Sequence, residues 1–158
     1  MVKIDLEKLT ISLLAPFAAG IIGGAVTARR IFTWYDGLIK PFFNPPAKAF
    51  AIVWPILYFL MGISLYLVWS KGWDKKQVRV AVKLFFVHLV FNSLWSIIFF
   101  GFKAPFLALV EILLLLGVII AVIVKFHKIQ RWAAYLLTPY LLWVIFATLL
   151  NFSIWRLN

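Results

Sequence analysis

Five apolar runs divide the chain: Leu9 to Ala28, Ala47 to Trp69, Val80 to Gly101, Pro105 to Val124 and Trp132 to Trp155. None shows the period of two that marks a half-buried strand, and each has about the 20 residues that a helix needs to cross a hydrocarbon core. A membrane β-barrel requires alternating strands of roughly ten residues, so the pattern predicts helices. The expected fold is an all-α integral membrane protein, a single bundle of five transmembrane helices that forms one domain over residues 1–158. The first run also resembles a signal peptide, with Lys3 and Lys8 ahead of it and Ala25-Val26-Thr27-Ala28 at its end. Its apolar part exceeds the usual 7 to 15 residues, and Asp5 and Glu7 are out of place in a basic leader, so the run is read as a retained helix.

Four linkers join the runs: 29–46, 70–79, 102–104 and 125–131. The first reads RRIFTWYDGLIKPFFNPP. Its prolines and aromatic rings describe an ordered cap, because exposed aromatic side chains need a surface to pack on. It is the expected lid.

Composition reinforces the membrane reading: 65% of residues are apolar and 13% charged, against roughly half and one quarter in soluble domains. There is no cysteine, so no disulfide scaffold is possible. The net charge of +11 would point to nucleic acid in a soluble protein. Here the charges lie between apolar runs, which makes the lipid bilayer and its anionic head groups the expected partner and nucleic acid not one. Five crossings put Lys3, Lys8, Lys71, Lys75, Lys76, Arg79, Lys83, Lys125, Lys128 and Arg131 on one face, and Arg29, Arg30, Lys40, Lys48, Lys103 and Arg156 on the other. That bias favours a cytoplasmic amino terminus. The expected location is a bacterial or archaeal cell membrane, with an outer membrane as the alternative.

The chain has eight tryptophans. Trp34, Trp69, Trp73, Trp132 and Trp155 sit in linkers or near helix ends, where interfacial belts place them. Trp54, Trp95 and Trp143 lie seven, six and twelve residues inside Ala47, Gly101 and Trp155, at depths of roughly 9 to 18 Å beneath the first linker. Helical spacing groups Asn92 with Trp95 and Phe99, Trp143 with Ala147 and Asn151, and Trp54 with Tyr58 and Met61. Polar groups in a span must face the bundle interior or a cavity, so these stripes mark either interhelical hydrogen bonding or an aromatic pocket beneath the lid. Glu111, the one acidic residue in a span, is a functional candidate as an intramembrane carboxylate, with the favoured reading that it reaches the interface or pairs with Lys103 or Lys48. His88 and His127 have no metal-ligand spacing around them, and no metal site is assigned. Gly20 and Gly24 form a GxxxG read as close helix packing. No nucleophile-base pair or phosphate-binding loop appears.

The segment Trp34-Tyr35-Asp36-Gly37-Leu38-Ile39-Lys40-Pro41-Phe42-Phe43-Asn44-Pro45-Pro46, followed by Trp54-Pro55-Ile56-Leu57-Tyr58-Phe59-Leu60-Met61-Gly62, resembles the TspO/MBR family of tryptophan-rich sensory and translocator proteins. Phe91-Asn92-Ser93-Leu94-Trp95 with Phe99-Phe100-Gly101, and the stretch from Pro139 to Asn151, are similar to the family's third-helix and fifth-helix motifs. The resemblance implies a five-helix bundle, often a homodimer, whose first loop closes over a pocket for porphyrins such as protoporphyrin IX. No obligatory cofactor is implied. Carried over by position, the ligand-binding residues are Trp34, Trp54, Tyr58, Asn92, Trp95, Trp143, Phe146, Ala147 and Leu150, with Pro45 and Pro46 shaping the lid. Phe99, on the stripe of Trp95, joins them. The expected function is a membrane receptor or sensor of porphyrins and other hydrophobic ligands. The alternatives are a light-dependent porphyrin-degrading enzyme, with Trp95 or Trp143 as electron donor, and a transporter of porphyrin or lipid. The chain departs from the family pattern at Phe43, commonly Trp, at His88, commonly Gln, and at Ser96 and Ile97, commonly prolines. A sterol motif in the last helix would need Tyr where Phe152 stands between Leu149 and Arg156.

Overall fold

A computed structural model describes residues 4–158; Lys3, one of the amino-terminal charges, lies outside the described residues. Six helices follow in order: α1 Leu6–Arg30, α2 Ala47–Trp69, α3 Lys76–Ser96, α4 Pro105–Ile129, α5 Arg131–Leu136 and α6 Thr138–Leu157. A π-helical turn, Ile97–Gly101, continues α3. With that turn joined to α3, and α5 joined to α6, five helices are long and apolar enough to cross a membrane. No strand occurs among the described residues.

Helices α1, α3 and α4 run past the apolar runs at one or both ends, because hydrogen bonding and hydropathy stop at different places. Asp5 caps α1 by accepting the Lys8 N–H at 3.1 Å, so the helix begins three residues before its apolar run. The last span is broken at Leu137. Pro139 has no N–H to give and its ring crowds the Tyr135 carbonyl one turn earlier, so the chain takes a tighter turn, Leu137 N–H to Ala134 C=O at 3.1 Å, before α6 starts. Large apolar side chains point outward, with Phe59 at 51%, Leu113 at 55% and Leu142 at 61% exposure. Such a surface is stable against lipid and not against water.

Helix α1 packs on α2 and α3, α4 packs on α3 and α6, and α2 leans on α5 far more than on α6. Small residues set these distances. A Cβ on Gly62 would come within 2.9 Å of the Leu13 Cα and the Ser12 carbonyl of α1, and a Cβ on Gly20 would strike the Tyr58 ring of α2. Gly24 meets nothing within 4 Å, so the GxxxG pair is divided: Gly20 serves packing, as its motif implies, and Gly24 borders open space. Two buried hydroxyls pin neighbouring helices by donating to backbone carbonyls, Ser93 to Ala19 at 2.9 Å and Ser64 to Ala133 at 2.7 Å. Hydrocarbon offers no competing partner for either bond.

The first loop, 31–46, only partly overlies the bundle. Phe50 at the start of α2 meets Trp143 at 5.8 Å, Phe43 meets Phe146 at 6.2 Å, and Ile39 exchanges two 3.0 Å hydrogen bonds with the Asn158 side chain. Residues 39–46 therefore run beside the last three turns of α6, anchored at Ile39 and Phe43. Depths counted from each helix's own end do not share one origin: Trp54 lies level with Tyr140, its ring at 6.5 Å, and not with Trp143.

Gly62→Ala is expected to force α1 and α2 apart and to cost about 1–3 kcal/mol, seen as a lower Tm in detergent. Gly117→Ala, where a Cβ meets nothing within 4 Å, should leave Tm unchanged or raise it.

Candidate ligand-binding site

The gap between α2 and α6 becomes a cavity of about 490 Å³. Helix α1 contributes Gly20, Gly24 and Thr27; α2 contributes Phe50, Trp54 and Tyr58; α6 contributes Ala147, Leu150 and Asn151. Trp95 of α3 and Phe99 and Phe100 of the π-helical turn close the back, and Tyr35 of the loop closes the top. The π-helical turn matters here. It opens at Ile97, one of the positions where the resemblance expects proline, and it carries both Phe99 and Phe100 inward, at 2% and 7% exposure.

Two parallel aromatic pairs furnish the walls. Trp54 stacks on Tyr58 at 5.3 Å and 25°, and Trp95 stacks on Phe99 at 5.2 Å and 25°. Trp95 is held by its indole N–H, which donates to Asn151 Oδ1 at 3.0 Å, while Asn151 Nδ2 donates to the Pro105 carbonyl at 2.8 Å. One amide thus joins α3, α4 and α6 at the cavity wall. The side of the cavity between α1 and α2 is open, because Gly24, Ala28, Ala47 and Ala51 are too small to fill the seam. Ile21, 71% exposed, flanks this opening on the outer surface of α1.

The loop is tied down over the cavity. Tyr35, 7% exposed, donates its hydroxyl to Asn44 Oδ1 at 2.6 Å and meets Phe100 at 5.6 Å and Phe99 at 6.1 Å. Lys40 lies 5.3 Å above the Tyr35 ring and donates to the Asp36 carbonyl at 2.8 Å. Burial pushes the Tyr35 hydroxyl up to about 12, against a smaller opposing effect of Asn44.

Of the twelve residues expected at the site, Trp54, Tyr58, Trp95, Phe99, Ala147 and Leu150 line the cavity. The other six stand elsewhere. Trp34 packs edge-on against Phe99 at 5.7 Å and Phe100 at 6.5 Å, behind the wall. Pro46 caps the start of α2 with extended backbone, and Pro45 precedes it. Asn92 donates to the Tyr140 hydroxyl at 3.0 Å within the bundle. Trp143 and Phe146 pack on each other at 5.6 Å, and they carry Phe50 and Phe43 on their outer faces. Sequence reasoning missed Tyr35, Phe50, Phe100 and the α1 wall. Gly20 and Gly24 were the visible signal for that wall, but glycine on a helix face reads as close packing whether a neighbour or a cavity lies beyond it.

Glu111 corrects an expectation. It neither reaches the interface nor pairs with Lys103 or Lys48: it is 5% exposed, and neither carboxylate oxygen has a hydrogen-bond partner. It shares the inward stripe of α4 with Ala108 and Leu115, which turns it away from both lysines. His88, also buried, donates its Nδ1–H to the Phe85 carbonyl at 2.6 Å.

Five spans, an outward apolar surface and an aromatic-walled cavity beneath the first loop define an integral membrane protein built as a five-helix bundle. The TspO/MBR family model matches residues 12–156, and the chain belongs to that family. It is 44% identical over 156 residues to the tryptophan-rich protein TspO of Archaeoglobus fulgidus, covering 98% of this chain and 99% of that one. It is 39% identical over 147 residues to the translocator protein of Homo sapiens, covering 92% and 86%. To the tryptophan-rich sensory protein of Cereibacter sphaeroides it is 37% identical over 125 residues, covering 79% and 77%.

Asn151→Leu is expected to strand the Trp95 N–H and the Pro105 carbonyl at a cost of about 1–3 kcal/mol each. The measurement is Tm in detergent with the indole emission of Trp95 followed in parallel. Tyr35→Phe should loosen the loop by about 1 kcal/mol and raise hydrogen exchange in residues 31–46. In the wild type the same loosening is expected only as pH rises from 10 towards 12, since the unfolded tyrosine ionises near 10.0 and the buried one about two units later.

Proposed function

We propose that the protein is a membrane receptor or sensor that binds porphyrins, protoporphyrin IX among them, in the cavity between α1, α2 and α6. The observation that carries the reading is the pair of stacked aromatic faces, Trp54 on Tyr58 and Trp95 on Phe99, around a space of about 490 Å³. That volume suits a small-molecule site, which typically spans ~300–1,000 Å³. A flat macrocycle matches walls made of ring faces. The seam between α1 and α2 gives a hydrophobic ligand a route from the bilayer without crossing water. The amino terminus is assigned to the cytoplasmic side of a cell membrane by the excess of basic residues on that face.

One observation favours a second reading. Trp95 stands on the cavity wall with its N–H hydrogen-bonded to Asn151, in position to donate an electron to a light-excited macrocycle. Trp143 lines no part of the cavity, so Trp95 is the donor in that reading. Loss of the porphyrin's Soret band on illumination, beyond that seen in empty micelles and abolished by Trp95→Phe, would establish it.

The main reading is tested by titrating protoporphyrin IX into the detergent-solubilised protein and following indole fluorescence. Saturable quenching is expected. Gly24→Leu, which grows into open space, should weaken binding at least about tenfold, ~1.4 kcal/mol, with Tm unchanged. Ala147→Leu should weaken it as well, by intruding from α6. Quenching that does not saturate, or wild-type affinity in both variants, would refute this site.

A further inference from the structure

A second concavity, about 790 Å³, lies at the opposite end of the bundle between the start of α3 and the end of α4. Its rim carries Lys75, Lys76, Lys125 and Lys128, and its floor includes Val80 and Val124. The spacing is helical on both sides. Lys76 and Val80 share a face of α3, and Val124 or Lys125 shares a face of α4 with Lys128, so two helices turn lysines into one groove. All four lysines are exposed, and no acidic residue lines the groove. The nearest acid in sequence, Asp74, folds back over Gly72, where φ is +114°, and the Lys75 side chain leans the same way, its Cε 3.8 Å from the position a Gly72 Cβ would take. The two ion pairs among the described residues, Lys8 with Asp5 and Lys40 with Asp36, lie elsewhere. The start of α3 adds to the positive field, since no side chain caps its first turn.

Lys76, Lys125 and Lys128 converge here with no acidic side chain in the lining, Lys75 stands at the edge beside the Gly72 turn, and the floor is apolar. Val80 and Val124 are 41% and 49% exposed and continue directly into the lipid-facing surfaces of their helices. The combination is amphipathic in the sense of a phospholipid: an anionic group at the rim and a hydrocarbon chain along the floor. Soluble anions would use the rim alone.

We propose that this groove is a binding site for one acidic phospholipid, with its headgroup phosphate among Lys75, Lys76, Lys125 and Lys128 and an acyl chain on Val80 and Val124. The site is independent of the porphyrin cavity, which lies at the other end of the bundle. Lysines positioned at the membrane surface attract anionic lipid generally; the groove converts that attraction into one stoichiometric place.

The test is native mass spectrometry of the purified full chain in detergent, titrated with dioleoylphosphatidylglycerol or dioleoylphosphatidylcholine. The wild type should retain one phosphatidylglycerol about tenfold more tightly than phosphatidylcholine. The triple variant Lys76→Gln, Lys125→Gln, Lys128→Gln should lose that preference while its Tm without added lipid stays unchanged. A control triple, Lys71→Gln, Lys83→Gln, Arg131→Gln, removes the same charge outside the groove and should keep the preference. Equal loss in both triples would show a diffuse surface charge and overturn the proposal. Displacement of the lipid by millimolar inorganic phosphate, with no dependence on acyl chains, would overturn it in favour of a free-anion site. A groove variant whose Tm falls is replaced by Val80→Ser with Val124→Ser, which removes the floor and keeps every charge; retention of phosphatidylglycerol by that variant would also overturn the proposal.

Discussion

The Asn151 side chain governs the half of the molecule that holds the aromatic cavity. Its oxygen receives the Trp95 indole N–H and its nitrogen donates to the Pro105 carbonyl, so α3, α4 and α6 are locked in one register by two hydrogen bonds from a single amide. In hydrocarbon each of these groups has no water to fall back on, which makes the arrangement costly to break. Trp95 is consequently held stacked on Phe99, which fixes the back wall of the cavity. The π-helical turn follows from the same neighbourhood: by accommodating an extra residue per turn it buries both Phe99 and Phe100, on which the loop residues Trp34 and Tyr35 rest.

On the other side of the cavity the constraint is size. Gly62 brings α1 and α2 into backbone contact, Gly20 makes room for Tyr58, and Gly24 leaves a seam. The same residue type thus closes the bundle at one level and opens it at another, according to what stands opposite. Polarity is distributed differently at the two ends. The loop end has its tyrosine, asparagine and lysine groups tied to one another, as Tyr35 to Asn44 and Lys40 to Asp36. The opposite end has the Lys8–Asp5 pair and, apart from it, a groove rimmed by lysines with no acidic residue in its lining.

Much of the fold was legible in the chain because a bilayer imposes one solution on long apolar runs: backbone groups must bond within their own segment, so five runs mean five spanning helices. The site was legible in part. Trp54, Tyr58, Trp95, Phe99 and Ala147 can be picked out by helical spacing, since each lies on a stripe that faces inward, whereas Leu150 comes only from the resemblance to the family. Asn92 and Trp143 lie on similar stripes and face inward too, yet Asn92 meets Tyr140 and Trp143 meets Phe50 and Phe146. Periodicity says which side of a helix is buried and not what it is buried against.

The sequence by itself determined the solvent, the number of spans, the side of the bundle that carries the aromatic loop and the family to which the chain is similar, because each of these depends on local composition and order. Only the tertiary structure decided that α2 begins beside the Trp143 turn of α6, that residues 39–46 run along the end of α6, that Gly24 borders a cavity, and that Glu111 is enclosed without a partner. These features depend on how far one helix slides along another. That offset is set by interhelical contacts such as Gly62 against Leu13 and Asn151 against Trp95, between residues 49 and 56 positions apart, and no local pattern encodes it.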